Sequence, residues 1–322
     1  MVAVTRAFTE ITVVGDDDTG LIANVTSLLF ERGVNIEDLD QAVREGVFRM
    51  SMRVDTAEMV CTRKKLRADI DDLADELGVD VQVRFPAERE TSHIAVLVTK
   101  ESHCLEALFE AREGGRLDAE VTVVIGNHPD LEPLARSHDV PFHDIGDEKG
   151  TPDEQQLIDL LAEYDIDLVV LARYMRILSP DVVFRYQNRM INVHPSLLPS
   201  FPGAEAYLQA LEEGVRIAGV TAHYVTTDLD QGPIITQRAF NVPPDAEVSD
   251  IERLGQPLEA DALLEAIDLH LDDAVAVHRG RTQLRDPDTT DAQLGAPETL
   301  DEQNPDRPVD SLDDILAEQT GE

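Results

Sequence analysis

His93-Ile94-Ala95-Val96-Leu97-Val98 is apolar at every position from Ile94 onward, without the in–out alternation of a strand that faces water. A strand covered on both faces reads this way, and such strands belong to parallel sheets flanked by helices. Outward from it the theme repeats. Apolar runs predict strands at Val121–Ile125, Leu168–Leu171, Met190–Val193, Gly219–Val225 and Ile234–Phe240. Helical patterns fall between them at Leu105–Arg112, Glu154–Tyr164 and Ala206–Glu213, and a last helix is expected from Glu259 to Val277. The expected fold is therefore α/β, with a doubly wound, mostly parallel sheet over residues 92–285. Ligands of such sheets sit beyond the carboxyl ends of the strands.

Residues 1–86 read as a smaller α/β unit. The apolar run Ala7–Val14 ends at Gly15-Asp16-Asp17-Asp18-Thr19-Gly20, and Leu21, Ile22, Val25, Leu28 and Leu29 then share one helical face. Asp18 or Thr19 is placed to cap that helix. Gly33-Val34-Asn35-Ile36 leads into a strand, Val47–Val54 alternates as another, and a helix over Cys61–Leu77 and a strand over Val79–Arg84 complete a β-α-β-β-α-β, ferredoxin-like order. Pro86–Thr91 is a polar linker across which few core contacts are expected. From Asp286 to Glu322 Asp, Thr, Pro and Gln dominate, and this acidic tail is expected to be disordered.

The formal net charge is -38, from 65 acidic and 27 basic residues, the lysines being Lys64, Lys65, Lys100 and Lys149 alone. Such a surface repels nucleic acid, whose binding rests on Lys and Arg replacing phosphate counterions. The acid is spread over both units, as in proteins of salt-accumulating halophiles, where molar salt shortens the Debye length to about 3 Å. No stretch approaches the roughly 18 apolar residues of a membrane span, and no secretory signal is visible. Cys61 and Cys104 fall in different units, which fits a reduced, cytoplasmic setting.

The chemistry concentrates in two segments. In Met190-Ile191-Asn192-Val193-His194-Pro195-Ser196-Leu197-Leu198-Pro199 the strand period puts Asn192 and His194 on one face, with Pro195 ending the strand beyond them. An amide that can hold a carbonyl oxygen, beside an imidazole, suits acyl transfer. The plain alternative is a satisfied Asn–His pair at a strand end. In Ala222-His223-Tyr224-Val225-Thr226-Thr227-Asp228-Leu229-Asp230-Gln231-Gly232-Pro233 a strand bearing His223 runs into a turn that delivers Asp230. A carboxylate there could act on His194 or hold a water; as plain turn-formers, Asp228 and Asp230 would do neither. His194, His223 and Asp230 lack metal-ligand spacing, so no metal is expected, and without a glycine-rich dinucleotide fingerprint no nicotinamide cofactor is expected either.

Together these segments resemble the family of formyltransferases that use 10-formyltetrahydrofolate. The match runs through Asn192, His194, Pro195, Ser196, Leu197, Leu198, Pro199, His223, Leu229, Asp230, Gly232 and Pro233. The resemblance implies that Asn192, His194 and Asp230 are catalytic, and that Tyr174, Met175, Arg176, Ile177 and Leu178, with His223, bind the folate. Gly15, Asp16 and Gly20 resemble the loop of an ACT domain, which implies an amino-acid effector such as glycine or methionine at Asp16 and Gly20, and a homo-oligomer. The folate is then the substrate and no separate cofactor is implied.

The acceptor of the formyl group is read from the loop after the first large-domain strand, Thr99-Lys100-Glu101-Ser102-His103-Cys104. It has no glycine to form a phosphate-binding nest, and Glu101 would repel a phosphate. This loop, Ile125-Gly126-Asn127-His128 and the leading ACT unit resemble the members of the family that use water, the formyltetrahydrofolate deformylases. Pro195 is a departure, since deformylases often carry a second His there and transferases Pro. The expected activity is hydrolysis to formate and tetrahydrofolate, balancing the one-carbon pool that feeds purine synthesis. The alternatives are a phosphoribosylglycinamide formyltransferase and a non-catalytic folate or amino-acid sensor; transfer to a tRNA would call for a basic extension, and the tail is acidic.

Overall fold

In the computed structural model, which describes residues 8–85, 91–278 and 280–285, the amino-terminal region is built around β1 (Thr9–Asp16). Its alternate residues Ile11 and Val13 are fully buried. Around it follow α1 (Leu21–Glu31), β2 (Asn35–Arg44), β3 (Val47–Asp55), α2 (Arg63–Leu77) and β4 (Val79–Arg84). The sheet order is β2-β3-β1-β4, antiparallel throughout. Both helices cover one face, where Val25, Leu29, Leu66 and Ile70 meet Met50 and Met52. This is the expected β-α-β-β-α-β unit.

Two details of that unit differ from the sequence reading. Neither Asp18 nor Thr19 caps α1; the helix opens at Gly20, φ 93°, with no side-chain cap, because the Asp18 carboxylate accepts from the adjacent Thr19 N–H instead. Ile22 is partly exposed, lying off the buried stripe of Leu21, Val25 and Leu29. The second helix starts at Arg63 rather than Cys61, because Thr62 Oγ1 accepts from Lys65 N at 3.2 Å and so fixes the first turn.

The larger region continues with β5 (Ser92–Val98), α3 (His103–Glu113), β6 (Ala119–Gly126), α4 (Glu132–Ser137), β7 (Phe142–Asp144) and α5 (Glu154–Glu163). Then come β8 (Leu168–Ala172), α6 (Pro180–Arg185), β9 (Met190–His194), α7 (Ala206–Glu212), β10 (Ile217–Tyr224), β11 (Ile234–Asn241) and α8 (Val248–Leu271), before a hairpin of β12 (Val275–His278) and β13 (Arg281–Leu284). The main sheet has the order β11-β10-β9-β8-β5-β6-β7. Pairings from β7 to β9 are parallel, while β10 runs antiparallel to both β9 and β11. The apolar residues of β5 divide between two cores. Ile94, Val96 and Val98 pack with α3 and α8, and Ala95 and Leu97 pack with α5 and α6.

The last helix needs correction. It spans Val248–Leu271, not Glu259–Val277. Pro257 hid the first turns, since it breaks one i→i−4 bond, yet the helix runs through it. A reciprocal cap between Glu247 and Asp250 and the fully buried Ile251 hold those turns. Val275–His278 is a strand, and residues 272–274 separate it from the helix.

The expectation that few contacts cross the linker is also not met. Helix α6 packs on β1 and β3, and the two regions form one compact unit. Arg84 Nη2 lies 2.5 Å from Asp167 Oδ1, Arg189 Nη2 donates to Gln82 Oε1 at 3.0 Å, Arg185 pairs with Asp80, and the Arg49 guanidinium sits 5.5 Å from the Phe184 ring centre. The polar composition of the connection carried no information about these flanking faces. Residues 86–90 of the linker and the tail from Asp286 lie outside the described residues. Among the described residues no helix is long and apolar enough to cross a membrane.

Candidate active site

The two motif segments meet because β9 and β10 are neighbours. Their antiparallel register sets Asn192 opposite His223 and His194 opposite Thr221. Ile191 and Val193 turn to the other side, into the core under α8. Directly opposed side chains on one face interact, and Asn192 Nδ2 lies 3.2 Å from His223 Nε2.

The direction of that bond follows from the second nitrogen of His223. Its Nδ1 lies 3.0 Å from the Tyr224 carbonyl, which can only accept, so Nδ1 carries the proton and Nε2 is the acceptor. Burial is the main reason the His223 pKa falls to about 4, the Tyr224 carbonyl and Asp230 offsetting only part of it. The ring is therefore neutral near pH 7. Asn192 is oriented with its amide nitrogen toward His223, and its second N–H remains for a ligand.

Beyond His194 the chain is tied down by Thr221. Thr221 Oγ1 donates to Ser196 O at 2.7 Å and accepts from Leu198 N at 3.0 Å, and Ser196 Oγ donates to Ser200 O. The loop so fixed brings the Phe201 carbonyl to 2.9 Å from His194 Nε2, which must donate to it. His194 Nδ1 is then the nitrogen that faces Asp230, 3.5 Å from Oδ2.

Asp230 arrives by a strained turn. Its φ is 53°, and its carboxylate is buried, accepting from Gly203 N at 2.7 Å and lying 3.9 Å from His223 Nε2. The turn needs glycine two residues later, because a Cβ on Gly232 would stand 1.7 Å from the Tyr224 carbonyl oxygen. One carboxylate thus faces two imidazoles beside an oriented amide.

This group opens on a crevice walled by Leu171, Tyr174, Arg176, Ile177, Leu178, Val183, Asn192, His223, Val225, Thr226, Thr227, Leu229 and Asp230. Of the expected folate-binding residues, Tyr174, Arg176, Ile177, Leu178 and His223 line it. Met175 does not. Its side chain is about half exposed, and its backbone N–H is held by Thr99 Oγ1 at 2.9 Å. Arg173 before it adopts φ 59°, and this kink sends Tyr174 inward and Met175 outward. His194 touches the crevice only through Asp230. The Arg176 guanidinium is spent on the carbonyls of Gly150 and Lys149, bracing the wall from behind. Sequence reasoning missed Val225, Thr226, Thr227 and Leu229, although all lie inside the quoted motif segment. A larger hollow of about 350 Å³ is lined by Phe201, Gln209, Glu212, Glu213 and Val215, none of them a group of the trio.

Two further expectations concern charge. Glu101 is not a free negative charge, since Arg173 grips it with Nε at 3.1 Å and Nη2 at 2.9 Å. Among the described residues His103, Cys104 and Glu259 bring potential metal-ligand atoms within 4.8 Å, and none of the three belongs to the trio. In the small unit, Asp16 ends β1 opposite Val47 and Gly20 opens α1, so the two flank an exposed loop.

Fold and site together define a folate-dependent formyl-transfer domain preceded by an ACT unit. Residues 92–267 match the formyl transferase family and residues 10–84 the ACT domain family. Formyltetrahydrofolate deformylase of Bacillus subtilis is 37% identical over 271 residues, 83% of this chain and 90% of that protein. A crystal structure of a formyltetrahydrofolate deformylase from Pseudomonas syringae superposes with a TM-score of 0.59 at 29% identity, covering 88% of this chain and 96% of that one. A glycinamide ribonucleotide transformylase from Symbiobacterium toebii superposes with a TM-score of 0.58 at 35% identity, covering 97% of its own chain but 63% of this one. The chain belongs to the formyltetrahydrofolate deformylase family.

Proposed function

We propose that this protein hydrolyses 10-formyltetrahydrofolate to formate and tetrahydrofolate, balancing the one-carbon pool that feeds purine synthesis. The observation that carries the mechanism is the convergence of Asn192, His194 and Asp230 at one end of the crevice, with the amide direction set by a neutral His223. The folate lies between the 174–178 wall and the 225–229 loop. Asn192 Nδ2 donates to the formyl oxygen as that oxygen becomes an oxyanion, while His194, whose nitrogens face the Phe201 carbonyl and Asp230, acts through that carboxylate. Asp230 takes a proton from water as the water oxygen bonds to the formyl carbon. That proton passes to N10 of the folate, the carbon–nitrogen bond breaks, and formate leaves.

The same reading assigns an amino-acid effector, glycine or methionine, to the loop of Asp16 and Gly20, pairs chains into a homo-oligomer, and places the enzyme in the cytoplasm of a halophile. The excess of 65 acidic over 27 basic residues supports the last point. The test is purified protein with 10-formyltetrahydrofolate in concentrated KCl, with and without glycinamide ribonucleotide. Formate should appear at the same rate in both; formylated ribonucleotide in its place would make the protein a transferase.

A further inference from the structure

In the main sheet the chain lays down β5, β6 and β7 in one direction and then returns to place β8 on the other side of β5. The carboxyl ends of β5 and β8 therefore flank the topological switch point, where doubly wound sheets leave a crevice for ligands. The loop after β5 supplies Glu101 and leads to His103 at the first turn of α3, an eleven-residue helix whose amino end follows the carboxyl end of β5 and would favour an anion. The loop after β8 supplies Arg173, and α8 supplies Glu259.

These side chains fill the place with charges of the protein's own. Arg173 holds Glu101 by two hydrogen bonds, and its Nε is 3.5 Å from Glu259 Oε2. His103 Nε2 lies 3.1 Å from the same Glu259 oxygen, and Tyr207 donates to the other at 2.7 Å. Glu259 is fully buried, yet the His103 hydrogen bond, the Arg173 charge and the Tyr207 hydroxyl outweigh that burial and hold its carboxyl below the usual carboxylate range. A built-in carboxylate thus sits beside the first residue of α3, with a guanidinium and an imidazole as its counter-groups. An incoming phosphate needs those same groups, and they are already taken.

We propose that the Glu101–Arg173–Glu259–His103 cluster is a specificity device that occupies the acceptor side of the site with internal anions and excludes phosphorylated amine acceptors. Water, which needs no anion site, is then the acceptor that remains. The inference rests on the deformylase reading and names the residues that enforce it. Glu101 is the removable part, being partly exposed and hydrogen-bonded by Arg173, with His103 Nδ1 3.9 Å away, whereas Glu259 is locked from three sides.

The test uses the full chain and two variants, Glu101→Gln, which keeps the size, and Glu101→Ser, which also opens space. Ribose 5-phosphate is the probe, read as inhibition of formate release at one fixed KCl concentration, and glycinamide ribonucleotide is then offered as an acceptor. The wild type should be indifferent to both. In the variants Arg173 keeps Glu259 but loses its two bonds to the Glu101 carboxylate, which frees Nη2 for an anion, and inhibition by ribose 5-phosphate should tighten at least about tenfold. Unchanged indifference in two folded variants overturns the proposal, and so does loss of the fold in both, which would make Glu101 a structural strut. Formylated ribonucleotide produced by the wild type would instead sink the deformylase reading, so the two failures are distinguishable.

Discussion

Lowering the pH from 7.5 to 5.0 should weaken the fold by about 2 kcal/mol through His223 alone. Burial holds this ring's pKa at about 4, against 6.5 for an unperturbed histidine. A depressed pKa means that the unfolded chain takes up the proton first. The stabilisation from keeping His223 neutral is thus complete above about pH 6.5, shrinks as the pH falls, and is exhausted below about 4. At pH 5 the unfolded ring is almost wholly protonated and the folded one hardly at all, and the ratio of the two binding terms gives the ~2 kcal/mol. His270 acts in the same direction, lowered to about 4 first by burial and then by the charges of Arg189 and Arg84, and adds to the loss in both proteins alike. Urea unfolding at both pH values in concentrated KCl, where other charges are screened, measures the loss in the wild type and in His223→Gln. The variant should lose about 2 kcal/mol less on acidification. Equal pH dependence in the two proteins would show that His223 is not held neutral, and the orientation of Asn192 derived from it would go too. Formate release by the folded enzyme should fall only as the pH nears 4, where the native ring itself is protonated and Nε2 donates and no longer accepts from Asn192.

Other outcomes follow from the same structure. Asn192→Ala, His194→Ala and Asp230→Asn should each fold and lose at least about 100-fold in kcat, the scale of one lost oxyanion donor; near-normal turnover in any of them removes that residue from the mechanism. Melting followed by circular dichroism should rise steeply between dilute buffer and molar KCl, and a flat response refutes the halophile argument. Asp167→Asn removes the carboxylate that bridges Arg84 and the His93 N–H, leaving Arg84 and the buried Arg189 to repel each other, and should cost about 2 kcal/mol in urea unfolding.

The fold was legible wherever burial imposed a simple period. The unbroken apolar run of β5 announced a strand covered on both sides, and the alternation of β3 announced one with a single core face. The start of α8 was not legible, because a proline inside a helix and one that begins it look alike until the packing of Ile251 is seen. Asn192 and His194 were readable as one strand face, whereas Asp230, in a separate segment 36 residues beyond His194, joined them only through the family resemblance. The inward and outward turns of Tyr174 and Met175 were not readable, since they depend on the left-handed Arg173, and nothing in the residue type Arg announces that conformation. The contacts between the two regions were equally hidden, because Asp80, Gln82 and Arg84 on β4 look like ordinary outward-facing residues until α6 and Asp167 cover them.

Those contacts bear on how so acidic a chain stays folded. Several of its arginines take positions that carry structure. Arg49 sits on Phe184, Arg84 pairs with Asp167, Arg173 with Glu101, Arg185 with Asp80, Arg176 braces two carbonyls, and Arg189 bridges Gln82 and the Arg185 carbonyl. A guanidinium suits this use, because its planar set of five donors can serve a carboxylate and a carbonyl together and it is weakly hydrated. Where the guanidinium is largely buried, as at Arg49, Arg173, Arg185 and Arg189, salt screens the contact less, whereas the exposed acids repel one another over a Debye length of about 10 Å at 0.1 M and only about 3 Å at 1 M. Dilution should therefore destabilise the molecule through its surface while the geometry of the trio, set by β9, β10 and their loops, stays as it is in whatever fraction remains folded. Salt then changes how many molecules work rather than how each one works, which separates KM, expected to hold steady, from the apparent kcat, expected to fall with the folded population.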